Sequence, residues 1–120
     1  MAWPKREIDK MEMMHLLGRI YVQTMSGFGK GHGLEKFIRD NALPSVRVKA
    51  AYVLRALVKT GLVIKHGTVG RGRFYRWNHA DYGPVSIPIA EMIIHETEHQ
   101  ARVVAARRRE LKRFKRINTV

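Results

Sequence analysis

The sequence predicts a mainly α-helical chain with one small β-hairpin and a long C-terminal helix. Three observations carry this. Apolar residues recur at three-to-four spacing in several separate stretches. Two short runs of strand-forming residues flank a glycine-rich segment, and an apolar seam at helical spacing runs from Ile89 to Leu111 near the C-terminus. The first and third patterns are those of helices with one buried face, and the second is that of an antiparallel hairpin.

The first helix is expected from Pro4 to about Met25, with Ile8, Met11, Met14, Leu17 and Tyr21 as its inward stripe. Pro4 suits an early helical position, where the missing amide proton costs nothing. The methionines read as core packing rather than as soft metal ligands. Ser26 to Gly33 carries alternating glycines, poor in helix and permissive of turns. It lacks the Gly-Lys-Ser/Thr order of a phosphate-binding loop, since Gly31 follows Lys30. Leu34 to Leu43 reads as a second helix with Leu34, Phe37 and Ile38 inward, ended by Pro44.

Ser45 is placed to cap a third helix from Val46 to Thr60. At 100° per residue, Val46, Ala50, Val53, Leu54 and Leu57 gather on one side. The other side carries Arg47, Val48, Tyr52, Arg55 and Lys59, with Lys49 at its edge. Gly61 stands where a helix C-terminus favours glycine. Leu62–Lys65 and Arg73–Asn78 then predict the two strands, with Arg71 and Arg73 at the tip of the connection and Phe74, Tyr75 and Trp77 as packing. His79 to Ser86 reads as a connector, and Ser86 as the cap of a final helix from Ile87 to about Arg116. Ile89, Ile93, Thr97, Ala101, Val104 and Leu111 form its apolar seam. Residues 1–78, 79–86 and 87–120 thus divide into a folded domain, a connector and a basic C-terminal helix with its tail.

Composition narrows the function. With 23 Lys and Arg against 10 Asp and Glu, the 120-residue chain carries a formal charge of +13, which calls for a polyanionic partner. Cysteine is absent, excluding disulfides and thiolate metal sites. No run approaches the roughly 18 apolar residues of a membrane span. A soluble, cytoplasmic protein without membrane contact is expected.

Helix, helix, a proline–serine turn, a third helix running through Leu54-Arg55-Ala56-Leu57-Val58-Lys59-Thr60-Gly61-Leu62-Val63, then Gly70-Arg71-Gly72-Arg73-Phe74-Tyr75-Arg76-Trp77: this order, over about Ile8 to Asn78, resembles the winged helix-turn-helix family. The glycine-rich loop after the first helix and the strongly basic last helix depart from its usual pattern. The resemblance implies that the third helix enters the DNA major groove while the hairpin lies on the backbone or in the adjoining minor groove. On that footing Arg47 and Lys49 are the candidates for base edges, Val48 for a thymine methyl, and Tyr52, Arg55 and Lys59 for further groove contacts. Arg71 and Arg73 are candidates for phosphates or a narrow minor groove. The basic end of the last helix suits an extended DNA contact, RNA binding or solubility alone, and its apolar upstream half offers either a homodimer seam or a face that packs back on its own domain.

One motif points elsewhere. His95-Glu96-Thr97-Glu98-His99 is a literal H-E-x-x-H, the zinc-binding pattern of many metalloproteases. Catalytic zinc needs a third protein ligand, yet Glu110, the next acidic residue, is about 16 Å further along the same helix at 1.5 Å per residue. Nor does the longer metzincin pattern continue, since Arg102 stands at its glycine and Ala105 at its third histidine. The expectation is a double-stranded DNA-binding protein, sequence-specific or architectural and of transcription-regulator type, with no catalytic residues, metal or cofactor. An RNA-binding or ribosome-associated winged helix is the alternative.

Overall fold

In the computed structural model, residues 7–25, 33–67 and 74–118 are described, the last three by their backbone alone. The architecture is mainly helical, with one two-stranded antiparallel hairpin and a long C-terminal helix.

Helix α1 spans Lys10–Thr24, later than expected; Pro4 lies outside the described residues. Asp9 is its N-cap, its carboxylate accepting the Glu12 amide at 3.0 Å. Its buried face is Met13, Leu16, Leu17, Ile20 and Thr24, roughly one residue step round from the expected stripe. Met11 consequently faces solvent at 71% exposure, while Met14 and Tyr21 sit at the edge of the core. Methionines at 11, 13 and 14 make two stripes almost equally apolar, and packing against α2 (Gly33–Asn41) and the C-terminal helix chooses between them. In α2, Leu34 and Ile38 are buried and Phe37 packs beside them, as expected.

The expected helix from 46 to 60 is two helices, α3 (Pro44–Arg47) and α4 (Ala50–Lys59), joined by a turn at Val48 and Lys49. The Lys49 amide bonds back to Val46 at 3.0 Å rather than a full helical turn away. Ser45 is not the cap, since Leu43 holds that position with Pro44 following it. Instead Ser45 braces α3 to the start of α1. Its hydroxyl accepts the Asp9 amide at 3.0 Å and donates to the Glu12 carboxylate, which also accepts the Ser45 amide at 2.9 Å.

Gly61 ends α4 in the left-handed region at φ 75°, which a side chain rarely tolerates. Strands β1 (Val63–His66) and β2 (Phe74–Trp77) then pair with Val63 opposite Trp77 and Lys65 opposite Tyr75. Trp77 is buried edge-on against Tyr21 at 5.2 Å, its indole donating to the Gly83 carbonyl at 2.8 Å. The expected connector contains one helical turn, α5 (His79–Tyr82), capped by Asn78. Asn78 and Tyr82 tie this turn to the end of α4 through the carbonyls of Gly61 and Thr60, at 3.0 and 2.5 Å.

Helix α6 covers Ile87–Asn118, and the Ser86 carbonyl accepts its first turn's Ala90 amide at 3.0 Å. Ile89, Ala90 and Ile93 belong to the same buried cluster as α1, α2 and α4, so a boundary at residue 78 separates no independent core.

Candidate nucleic-acid interface

Helix α4 is held from within and open outside. Ala50, Val53, Ala56 and Leu57 are buried, whereas Ala51, Arg55, Val58 and Lys59 are exposed and Tyr52 and Leu54 are intermediate. Its most extensive neighbour is α6, which crosses it and grips it with two carboxylates. Lys49 Nζ lies 2.6 Å from Glu98 Oε1 in a partly buried pair, and Lys59 Nζ lies 3.6 Å from Glu96 Oε1. Gln100 Nε2 donates to Glu96 at 2.9 Å. That hydrogen bond, with the positive charge of Lys59, holds the Glu96 carboxyl below the ordinary glutamate range despite some desolvation.

The six candidates from 47 to 59 are therefore not one row. Arg47 is exposed at the end of α3, with Nε donating to the Ala42 carbonyl at 3.1 Å, which fixes the plane of its guanidinium. Val48 is exposed in the turn. Lys49, expected at base edges, is turned aside to Glu98 because it precedes α4 rather than lying inside a longer helix. Tyr52 is half-buried, and Arg55 occupies the middle of the open face. Arg71 and Arg73 fall outside the described residues.

Three residues join the face unannounced. A cleft of about 330 Å³ is lined by Leu54, Arg55, Val58 and Lys59 of α4, Lys65 and Tyr75 of the hairpin, and Gln100 of α6. Its walls are apolar stems and its rim holds three cations. Strand alternation contained the signal for Lys65 and Tyr75: paired residues two places along from buried Val63 and Trp77 lie on the same side of the hairpin. Nothing in the sequence placed Gln100 there.

The H-E-x-x-H segment is used structurally. Glu96 and Glu98 are engaged with α4, Thr97 is buried in the helix crossing, and His95 and His99 are exposed. Among the described residues, no group of three or more histidines and carboxylates is placed to hold a metal ion.

The seam of α6 is divided in the same way. Ile89, Ile93 and Thr97 are buried within the chain, Ala101 and Val104 are half-covered, and residues 105–115 are all exposed. Leu111 and Phe114 border an open groove with Arg107 and Glu110. No described helix is long and apolar enough to cross a membrane.

These features define an open cationic face built from a helix, a hairpin and the flank of a second helix. No family model, curated protein or solved structure matches the chain.

Proposed function

We propose that this chain is a winged helix-turn-helix protein that binds double-stranded DNA, as a regulator or an architectural protein without catalytic chemistry. The observation that carries the reading is the exposed strip of α4, with Arg55 at its centre and Lys59 beside it, flanked by Lys65 of the hairpin. A helix of ten residues, about 15 Å long and packed on its inner side, is the size of element that a major groove admits. Arg55 and Arg47 supply planar donor forks suited to guanine edges or phosphates, and Val48 supplies an apolar contact for a thymine methyl. Lys65, with Arg71 and Arg73 of the hairpin connection, follows the backbone. Lys49 serves the fold, holding α6 through Glu98.

The test is fluorescence anisotropy with a random duplex DNA and a structured RNA of equal length, across a salt series, for the wild type and for Arg55→Ala with Lys59→Ala. Duplex preference, lost in the double variant, supports the proposal. Preference for RNA assigns the same face to a ribonucleoprotein, and affinity untouched by the double variant removes α4 from the binding surface.

A further inference from the structure

Helix α6 segregates its charges along its length. Residues 87–100 contain Glu91, Glu96 and Glu98 and no lysine or arginine, whereas residues 101–118 contain eight lysines and arginines and the single acid Glu110. The structure gives the division a meaning. All three upstream carboxylates are spent on the folded domain: Glu91 on Lys10 of α1 at 3.0 Å, Glu96 on Lys59 and Glu98 on Lys49. The downstream half leaves the domain, every side chain from 105 to 115 being exposed.

Among the described residues, none of Arg107, Arg108, Arg109, Lys112 and Arg113 forms an ion pair. Arg109 makes a long bond of 3.5 Å to its own helix at Ala105. At 100° per residue, Arg102, Arg109, Lys112 and Arg113 share one arc. Arg108 and Lys112, and Arg109 and Arg113, are like charges one turn apart, an arrangement that weakens an isolated helix. Such a helix gains from a polyanion laid along it. It also starts in the right place, because Gln100 lies in the cleft that holds Arg55, Lys59 and Lys65.

We infer that residues 102–115 of α6 form a second contact for nucleic acid, continuous with the α4 and hairpin face, that grips phosphates without reading bases. This rests on the DNA-binding reading above. The occupant is nucleic acid rather than a lipid surface because the apolar side is too narrow. Leu111 and Phe114 are its only large exposed apolar side chains between 105 and 115, and Arg107 and Glu110 border them.

The experiment is the salt dependence of duplex affinity for the wild type, the triple variant Arg109→Ala, Lys112→Ala, Arg113→Ala, and the α4 double variant, with helicity checked by circular dichroism. Alanine in an exposed helix retains the fold. Three lost phosphate contacts lower the slope of log affinity against log salt by about 2.7. Between 50 and 200 mM salt, the wild type then loses about 40-fold more affinity than the triple variant. Ranking among duplex sequences stays the same in the triple variant and changes in the α4 variant. A slope unchanged by the triple substitution overturns the inference even if the α4 variant behaves as proposed. A slope lowered by the triple variant with no effect of the α4 variant leaves the second contact standing and removes the first. Anionic phosphatidylserine vesicles complete the test: binding to them that disappears in the triple variant, with an unchanged DNA slope, assigns the helix to lipid.

Discussion

Ser45 and Thr97 illustrate how opposite the demands on two small hydroxyls can be. The Ser45 hydroxyl joins the Asp9 amide to the Glu12 carboxylate, so that the first turn of α1 and the short α3 are built around it. Ser45→Ala leaves the carboxylate short of one donor and the amide without its acceptor, and should lower unfolding free energy by about 1–3 kcal/mol in urea titrations. Thr97 is fully buried where α6 crosses α4, and its hydroxyl has no hydrogen-bond partner among the described residues. Thr97→Val keeps the shape and removes the unsatisfied group, so it should be neutral or stabilising by up to about 1–2 kcal/mol. A clear loss of stability would mean that this hydroxyl has a partner. Arg55 answers to neither demand: it is exposed, so Arg55→Ala should leave the melting temperature within a degree or two while lowering duplex affinity roughly 5- to 150-fold, the range for one good base contact.

At the level of elements, the crossing of α4 by α6 is the part that the amino-acid pattern concealed. Both helices were legible from their apolar spacing, as were the hairpin, the Gly61 stop and the Leu34 and Ile38 face of α2. The turn at Val48 and Lys49 was not, because Val46, Ala50, Val53 and Leu57 keep helical phase across it and periodicity cannot register a break that preserves phase. Lys49 and Glu98 are 49 residues apart, and no local rule announces such a pair; hence Lys49 reads as a groove contact from sequence and as an anchor in the fold. Arg55 and Lys59 needed only the face of one helix to be found. The α4–α6 clasp also has a pH signature. Glu96 is held below its ordinary value by Gln100 and Lys59, so its contribution is present above the unfolded value of about 4.3 and fades as pH falls through the lower folded value. The stability difference between wild type and Glu96→Gln, read from urea midpoints, should therefore be largest near pH 6 and shrink steadily below about pH 4. A difference independent of pH would show that the charge of Glu96 plays no part in the clasp.

On the scale of the whole molecule, the issue is whether α6 is an appendage or part of the core, and truncation decides it. Ile89, Ala90 and Ile93 are buried in the cluster that includes Val53, Leu57 and Trp77, and three ion pairs fasten the same stretch to α1 and α4. Removing a buried isoleucine side chain alone costs about 2–5 kcal/mol, and domains of this size have only about 5–15 kcal/mol in total. Residues 1–86 should therefore lack a cooperative urea transition. Ending the chain at residue 106 removes no buried residue among those described and six of the thirteen net positive charges, since residues 107–120 hold seven lysines and arginines and one glutamate.

 A chain ending at residue 106 should unfold at the same urea concentration as the full chain, or at a slightly higher one in low salt, where like charges no longer repel along the helix. It should also show a shallower salt dependence of duplex affinity, by at least the change seen in the triple variant, while keeping its ranking of duplex sequences. Cooperative unfolding of residues 1–86 near the midpoint of the full chain would overturn the single-core account and make all of α6 an arm. Loss of folding at residue 106 would instead mean that the exposed half supports the core.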